Sequence, residues 1–250
     1  MIFFGTGTLI AVPTNLADGT AIANPTPVRL GGLQDVSVDL GVDLKTLYGS
    51  GKYPIAVGQG KAKTDIKAKY ADVSGAVLGS LFFGKTSTAA IKGAVIDATG
   101  AIPTTPFQIT AAPPSSGTFV QDLGVRDAST GVIYTRVASA PATGQYSVSG
   151  AGVYTFAAAD TGKSVIYSYE YTAATGGQLF TLTNDLMGYT PSFSMILQEK
   201  YLGQTFVLKF NRAVSGKLAL PLKNDDFGIS DFEATAFTDA ADVLGYACLF

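Results

Sequence analysis

From residue 35 to residue 45, polar and apolar positions alternate without a break. Asp35, Ser37, Asp39, Gly41, Asp43 and Lys45 take the odd positions, and Val36, Val38, Leu40, Val42 and Leu44 the even ones. Successive side chains of a strand point to opposite faces, so the pattern predicts a strand with one acidic face and one apolar face. Residues 61–69 repeat the pattern with the opposite sign. Lys61, Lys63, Asp65, Lys67 and Lys69 share one face, and Ala62, Ile66, Ala68 and Tyr70 the other. Folding one run back on the other around residues 47–54 sets Asp35 opposite Lys69 and Asp43 opposite Lys61. Asp39 then meets Asp65, a repulsion that Lys63 and Lys67 relieve on the diagonals. The expected element is a long hairpin with a buried apolar face and a self-neutralised charged face.

Past this hairpin the period changes. Val73, Ala76, Val77 and Leu81 fall at helical spacing within residues 72–84, Asp72 or Ser74 is placed to cap the start, and Gly84 to end it. Elsewhere Gly, Pro, Thr and Ser break the chain into short β-branched and aromatic runs, the pattern of an all-β sandwich or barrel. Short strands are expected near 106–111, 118–126, 131–137, 145–149, 152–157 and 164–171, then at 180–182, 192–198, 206–210 and 217–222. A closing hairpin over 232–238 and 243–250 would turn at 239–242. Pro103, Pro106, Pro113 and Pro114 precede the middle group, and Thr175-Gly-Gly177 follows it. These breaker-rich hinges divide the chain into a β core, residues 1–104 and 176–250, and an inserted Ig-like β-sandwich decoration domain, residues 105–175.

Composition narrows the chemistry. The 250 residues include no His and one Cys, so His-dependent triads, Cys-His dyads and disulfides within the chain are excluded. Charged residues make up 14% against 47% hydrophobic, and the formal net charge is −2. Such a chain must cover much apolar surface, with its own core or with copies of itself. A pI near 5.1 argues against gripping nucleic acid by bulk charge. The N-terminal residues lack the basic region of a secretory leader, and no run is long enough for a membrane helix, so membrane insertion is not expected.

The densest acidic group, Asp225, Asp226, Asp231, Glu233, Asp239 and Asp242, offers carboxylates to a glycosidase or a Ca²⁺ site, but lacks EF-hand spacing. A solvated or interface loop is the simpler reading. Gly5-Thr-Gly7 and Gly49-Ser-Gly51-Lys52 resemble pieces of phosphate loops without the required spacing, and read as turns. Tyr167, Tyr169 and Tyr171 share one strand face, either as a sugar platform or as core. Cys248, in a terminal apolar run, is expected to be a buried thiol. A terminal Phe250 after alternating residues also ends outer-membrane barrels, which would need a leader and an aromatic girdle. No catalytic site and no cofactor are expected.

Several runs are similar to tailed-bacteriophage virion proteins of the tail tube type. They are Leu33-Gln-Asp-Val-Ser-Val-Asp-Leu40, Lys45-Thr-Leu-Tyr-Gly49, Tyr53-Pro-Ile-Ala-Val57, Gly60-Lys-Ala-Lys63 and Leu81-Phe-Phe-Gly84. Leu186-Met-Gly188, Pro191-Ser-Phe193 and Asp225-Asp-Phe227 resemble the closing segment of such proteins. The middle region, with Asp122-Leu-Gly-Val125, Pro141-Ala-Thr-Gly-Gln-Tyr146, Gly152-Val-Tyr-Thr-Phe156 and Asp160-Thr-Gly162, resembles a module recurrent in phage structural proteins. The resemblance implies a tail-tube-like β-sandwich or barrel subunit with one helix, forming homo-hexameric rings that stack into a hollow tube. Its partners would be itself, other tail proteins and transiently passing DNA. It would reside in the virion tail, assembled in the host cytoplasm, with the insert on the outside. On that reading Asp35, Asp39, Asp43, Lys61, Lys63, Asp65, Lys67 and Lys69 would line the lumen, and Leu47, Tyr48, Lys52 and Tyr53 would form an inter-ring loop. The same charged face could instead look outward with no lumen role. A capsid decoration protein, or a carbohydrate-binding module using the insert's tyrosines, would share this composition.

Overall fold

A computed structural model describes residues 4–72, 74–188 and 190–250. Strands hold 58% of the chain, and the fold is all-β with one short helix. In chain order the strands are β1 (Thr8–Asn15), β2 (Val28–Arg29), β3 (Gly31–Tyr48), β4 (Pro54–Asp72), β5 (Thr88–Ala101), β6 (Gln108–Thr110), β7 (Thr118–Asp127) and β8 (Thr135–Arg136). They continue as β9 (Gln145–Val148), β10 (Val153–Phe156), β11 (Ser164–Leu179), β12 (Ser192–Tyr201), β13 (Gln204–Ala219), β14 (Ser230–Phe237) and β15 (Gly245–Leu249). Two compact units result, residues 1–87 with 180–250, and residues 88–179.

In the first unit the sheet order is β2-β1-β12-β13-β14-β4-β3, with β15 also on β13. Only Leu30 separates β2 from β3, so the two ends of this sheet are halves of one bent strand and the sheet curls onto itself. The bend falls at Gly31-Gly32, where Gly32 has φ +61°, a conformation costly for any residue with a Cβ. Period-2 alternation then sends Leu9, Ala11, Ile66, Ala68, Tyr70, Phe193, Met195, Phe232, Ala234 and Ala236 inward. The Tyr70 hydroxyl is buried without a partner, and burial pushes its pKa up to about 12.

The helix expected over 72–84 is present as a short turn that winds as a π-helix over Val77–Phe82, with Val77 and Leu81 in the core. Val73 lies outside the described residues. The Val77 N–H donates to Ser74 Oγ at 3.4 Å, and Gly84, at φ +58°, follows the last turn. Gly79 fits because the Phe180 ring lies where its Cβ would be. That packing also explains why residues 180–182, expected as a strand, leave the ladder at Leu179.

The second unit is a sandwich of a four-stranded sheet, β6-β10-β9-β8, and a three-stranded sheet, β5-β11-β7. Its boundary departs from the expected 105–175, because β5 pairs along β11 from Ala101↔Ser164 to Thr88↔Leu179 and so belongs to the insert. Gly84 reads as the end of the helix, and the proline cluster from Pro103 on is the stronger break, which drew the expected boundary too late. The two ends of the insert are themselves a cross-strand pair.

Candidate self-assembly surface

The hairpin β3–β4 pairs in the register anticipated from charge: Asp35↔Lys69, Ser37↔Lys67, Asp39↔Asp65 and Gly41↔Lys63. Lys63 Nζ lies 2.8 Å from Asp65 along the same strand, and Lys67 Nζ 3.8 Å from Asp39 on the diagonal, so the two lysines relieve the acidic pair, one along the strand and one across it. The Lys63 ammonium and the Thr235 hydroxyl hold the Asp65 carboxyl below the usual carboxylate range. Beyond Val42 the ladder shifts by one residue on β4, so Asp43 and Lys61 are not opposed as expected. All eight charged residues nonetheless sit on the exposed side of the hairpin or at its irregular step.

The charged face extends further than the hairpin. β14 lies against β4 with Asp231↔Lys69, Glu233↔Lys67 and Thr235↔Asp65, and β13 adds Lys217↔Glu233. Lys217 Nζ reaches Glu233 Oε1 at 3.1 Å. Lys67, Lys69 and Lys217 therefore each face a carboxylate on a neighbouring strand, and the pairs are solvent-exposed, individually worth under about 1 kcal/mol. Asp231 and Glu233 were readable as part of the face from the alternation Asp231, Phe232, Glu233, Ala234, Thr235, Ala236. Grouping them with their acidic neighbours concealed it. The acidic group in fact separates: Asp225 and Asp226 occupy an exposed loop, while Asp239 accepts from the Ala241 and Val243 N–H groups at 2.9 and 3.0 Å.

That Asp239 loop overturns the closing hairpin. β14 and β15 do not pair with each other; they lie end to end along β13, through Arg212↔Phe237 and Phe210↔Gly245. Asn211 Nδ2 donates to Asp239 Oδ2 at 2.7 Å, anchoring the loop to β13 so that the chain rejoins the same line. β15 is consequently an edge strand, and Cys248 is exposed rather than buried.

The hairpin's apolar face is buried only at its base. β4 has a neighbour on β14 as far as Thr64↔Ala236; beyond that point no other strand among the described residues pairs with either. Leu40 (67% exposed), Leu44 (65%), Val57 and Ile55 (73%) are uncovered, and the arm ends in a turn carrying Tyr48, Lys52 and Tyr53, with Leu47 beside it, all exposed. Exposed apolar residues of this number on one element mark an interaction surface.

At the mouth of the curled sheet, Val36, Val38 and Leu40 of β3 face Leu197, Phe206 and Leu208 across a groove that also holds Glu199. Glu199 continues the inward set Phe193, Met195, Leu197 on β12, yet carries a charge. It is 6% exposed, and its Oε1 has no hydrogen-bond partner. Sequence reasoning passed over Glu199; its position in the period-2 set was the available signal.

In the insert, Tyr169 is buried and Tyr167 and Tyr171 pack against the same core, so the three rings are structural. Asp122 accepts from the Tyr146 and Tyr154 hydroxyls at 2.6 and 3.1 Å and from the Gly124 N–H at 3.0 Å. Burial, followed by the Asp122 carboxylate, raises both phenol pKa values. Among the described residues no three His, Cys, Asp or Glu side chains converge as metal ligands, and no helix is long and apolar enough to cross a membrane. No protein-family model matches the chain, and no curated protein matches it.

Proposed function

We propose that this chain is a virion structural protein of a tailed bacteriophage, a subunit that assembles into stacked hexameric rings forming a hollow tail tube. The observation that carries the reading is the β3–β4 arm, which projects beyond its own sheet with an uncovered apolar face on one side and a self-neutralised charged face on the other. The apolar side suits burial against neighbouring copies, where contact of this kind supplies most of the association free energy. The lattice of Asp35, Lys67, Lys69, Asp231, Glu233 and Lys217 suits a lumen wall. A wall of net positive charge would release counterions and hold the phosphate backbone, whereas matched charges let DNA slide. The partners are then the chain itself, other tail proteins and passing DNA, in a tail assembled in the host cytoplasm. The role is structural, with no reaction and no cofactor.

Sedimentation velocity over a concentration series tests this on the full chain and on a variant in which residues 45–58 are replaced by an Asn-Gly turn. The full chain is expected to form large species as concentration rises. The shortened variant should keep its melting temperature and remain monomeric. Equal association of both proteins would remove the arm from the assembly.

A further inference from the structure

We infer that the loop 220–229 of one copy is the docking site for the arm tip of the next, with Leu222 and Phe227 covering the arm's apolar face and Asp225 receiving the Lys52 ammonium. This rests on the ring-stacking reading above and names the surface that meets the arm. The loop joins β13 to β14 and closes on itself. A Cβ on Gly228 would run into the Pro221 carbonyl, so the two ends of the loop lie close together, and Lys223 Nζ spans it to Asp226 Oδ2 at 3.3 Å. Asp226 also accepts from the Phe227 N–H at 2.8 Å. What this loop holds outward is apolar: Leu222 is 98% exposed and Phe227 86%. Beside them Asp225 is exposed and, among the described residues, its carboxylate has no hydrogen bond or ion pair.

The arm is its complement in charge and hydropathy. From residue 44 to residue 60 it carries Lys45 and Lys52 and no carboxylate, around the exposed Leu44, Ile55 and Val57. Other uncovered apolar surfaces lack the matching charge. In the loop after the insert Leu186 and Met187 are exposed, but Asp185 is taken by Lys85 Nζ at 2.8 Å. Residues 245–250, along β15, carry no charged side chain. The arm cannot fold back onto its own loop. β4 starts at the arm tip with Pro54, and at its far end Tyr70 pairs with Ser230, the residue that follows the loop. Pro54 and Tyr70 are roughly 50 Å apart at about 3.3 Å per residue. The Lys52 that reaches Asp225 therefore comes from another copy. Two surfaces at opposite ends of one strand join head to tail, an arrangement that repeats into a stack rather than closing as a pair.

Sedimentation of the full chain and of two variants tests the docking. One variant has residues 45–58 replaced by Asn-Gly. The other combines Leu222→Ser with Phe227→Ser, both at exposed positions, so its melting temperature should match the wild type. Each alone should associate at least tenfold more weakly than the wild type. Mixed in equal amounts they should combine one to one and grow no further, because each keeps the surface that the other lacks. Asp225→Lys should weaken association comparably, and Lys52→Asp in the same chain should restore it. Carbodiimide coupling of the assembled wild type, followed by peptide mass spectrometry, should yield an Asp225–Lys52 cross-link, and decides the matter if the loop variant misfolds. A loop variant that associates as the wild type does, a mixture that stays uncombined, an unrestored charge swap, or coupling of Asp225 to any other lysine would overturn the docking while leaving the tube reading in place. A wild type that stays monomeric at every concentration would overturn both.

Discussion

Asp122 shows how much of the insert rests on one side chain. Two buried tyrosine hydroxyls and a backbone N–H converge on it. Asp122→Ala strands the Tyr146 phenol and leaves Tyr154 only the long bond to the Ser168 carbonyl at 3.4 Å, and should destabilise the insert by about 2–4 kcal/mol in a urea melt. Asp127 sets a pH dependence. The Ser129 hydroxyl, then the Thr130 and Ser129 N–H groups, hold its carboxyl down to about 2 from the usual 3.8. The unfolded chain therefore takes up this proton more readily than the folded one. Its contribution is complete above about pH 4 and is lost as the pH falls toward 2. Asp127→Asn, which keeps a turn-forming side chain, should flatten the melting temperature of the insert across that window. The role of Asp122 could not be read from the sequence, because its tyrosine partners arrive from β9 and β10; the partners of Asp127 lie two and three residues further on, in a local turn. Glu199 is the converse: its inward position followed from counting by twos from Phe193, but nothing local said that its acceptor would lack a partner.

At the scale of elements, the β3–β4 hairpin was legible because charge and hydropathy both have period two, and the complementary signs favour one register in which Asp39↔Asp65 is the single opposed like-charge pair. Its length beyond the sheet was not legible, since alternation looks the same whether or not a neighbouring strand covers the apolar face. The end-to-end placement of β14 and β15 was hidden for a related reason: a four-residue polar break reads as a hairpin turn unless the anchoring partner, here Asn211 on β13, is known. The helix was placed correctly, but two glycines within it argued against it, and only packing explains Gly79. Gly79→Ala would gain about 1 kcal/mol of helix propensity in an open helix. Here the new methyl group would meet the Phe180 ring, an overpacking cost of about 1–3 kcal/mol. The expected outcome is net destabilisation in thermal melts, reversed when Phe180 is shortened to Leu in the same chain.

For the whole molecule, high apolar content and few charges pointed to surface that one chain cannot cover alone. The structure assigns much of that surface to the arm and to the edge strand β15, where Tyr246, Leu249 and Phe250 are exposed. The insert returns to its starting point through the Thr88↔Leu179 pair, so it interrupts the core unit without separating the strands on either side. On the proposed reading, the uncovered apolar face of the arm and the lattice of paired charges are where copies of the chain would meet. The most direct test of that claim is electron microscopy of the purified full chain, native and concentrated. Hollow rods, or rings with sixfold symmetry in end view, are the predicted result. Compact single-chain particles at every concentration, with the arm uncovered, would contradict it.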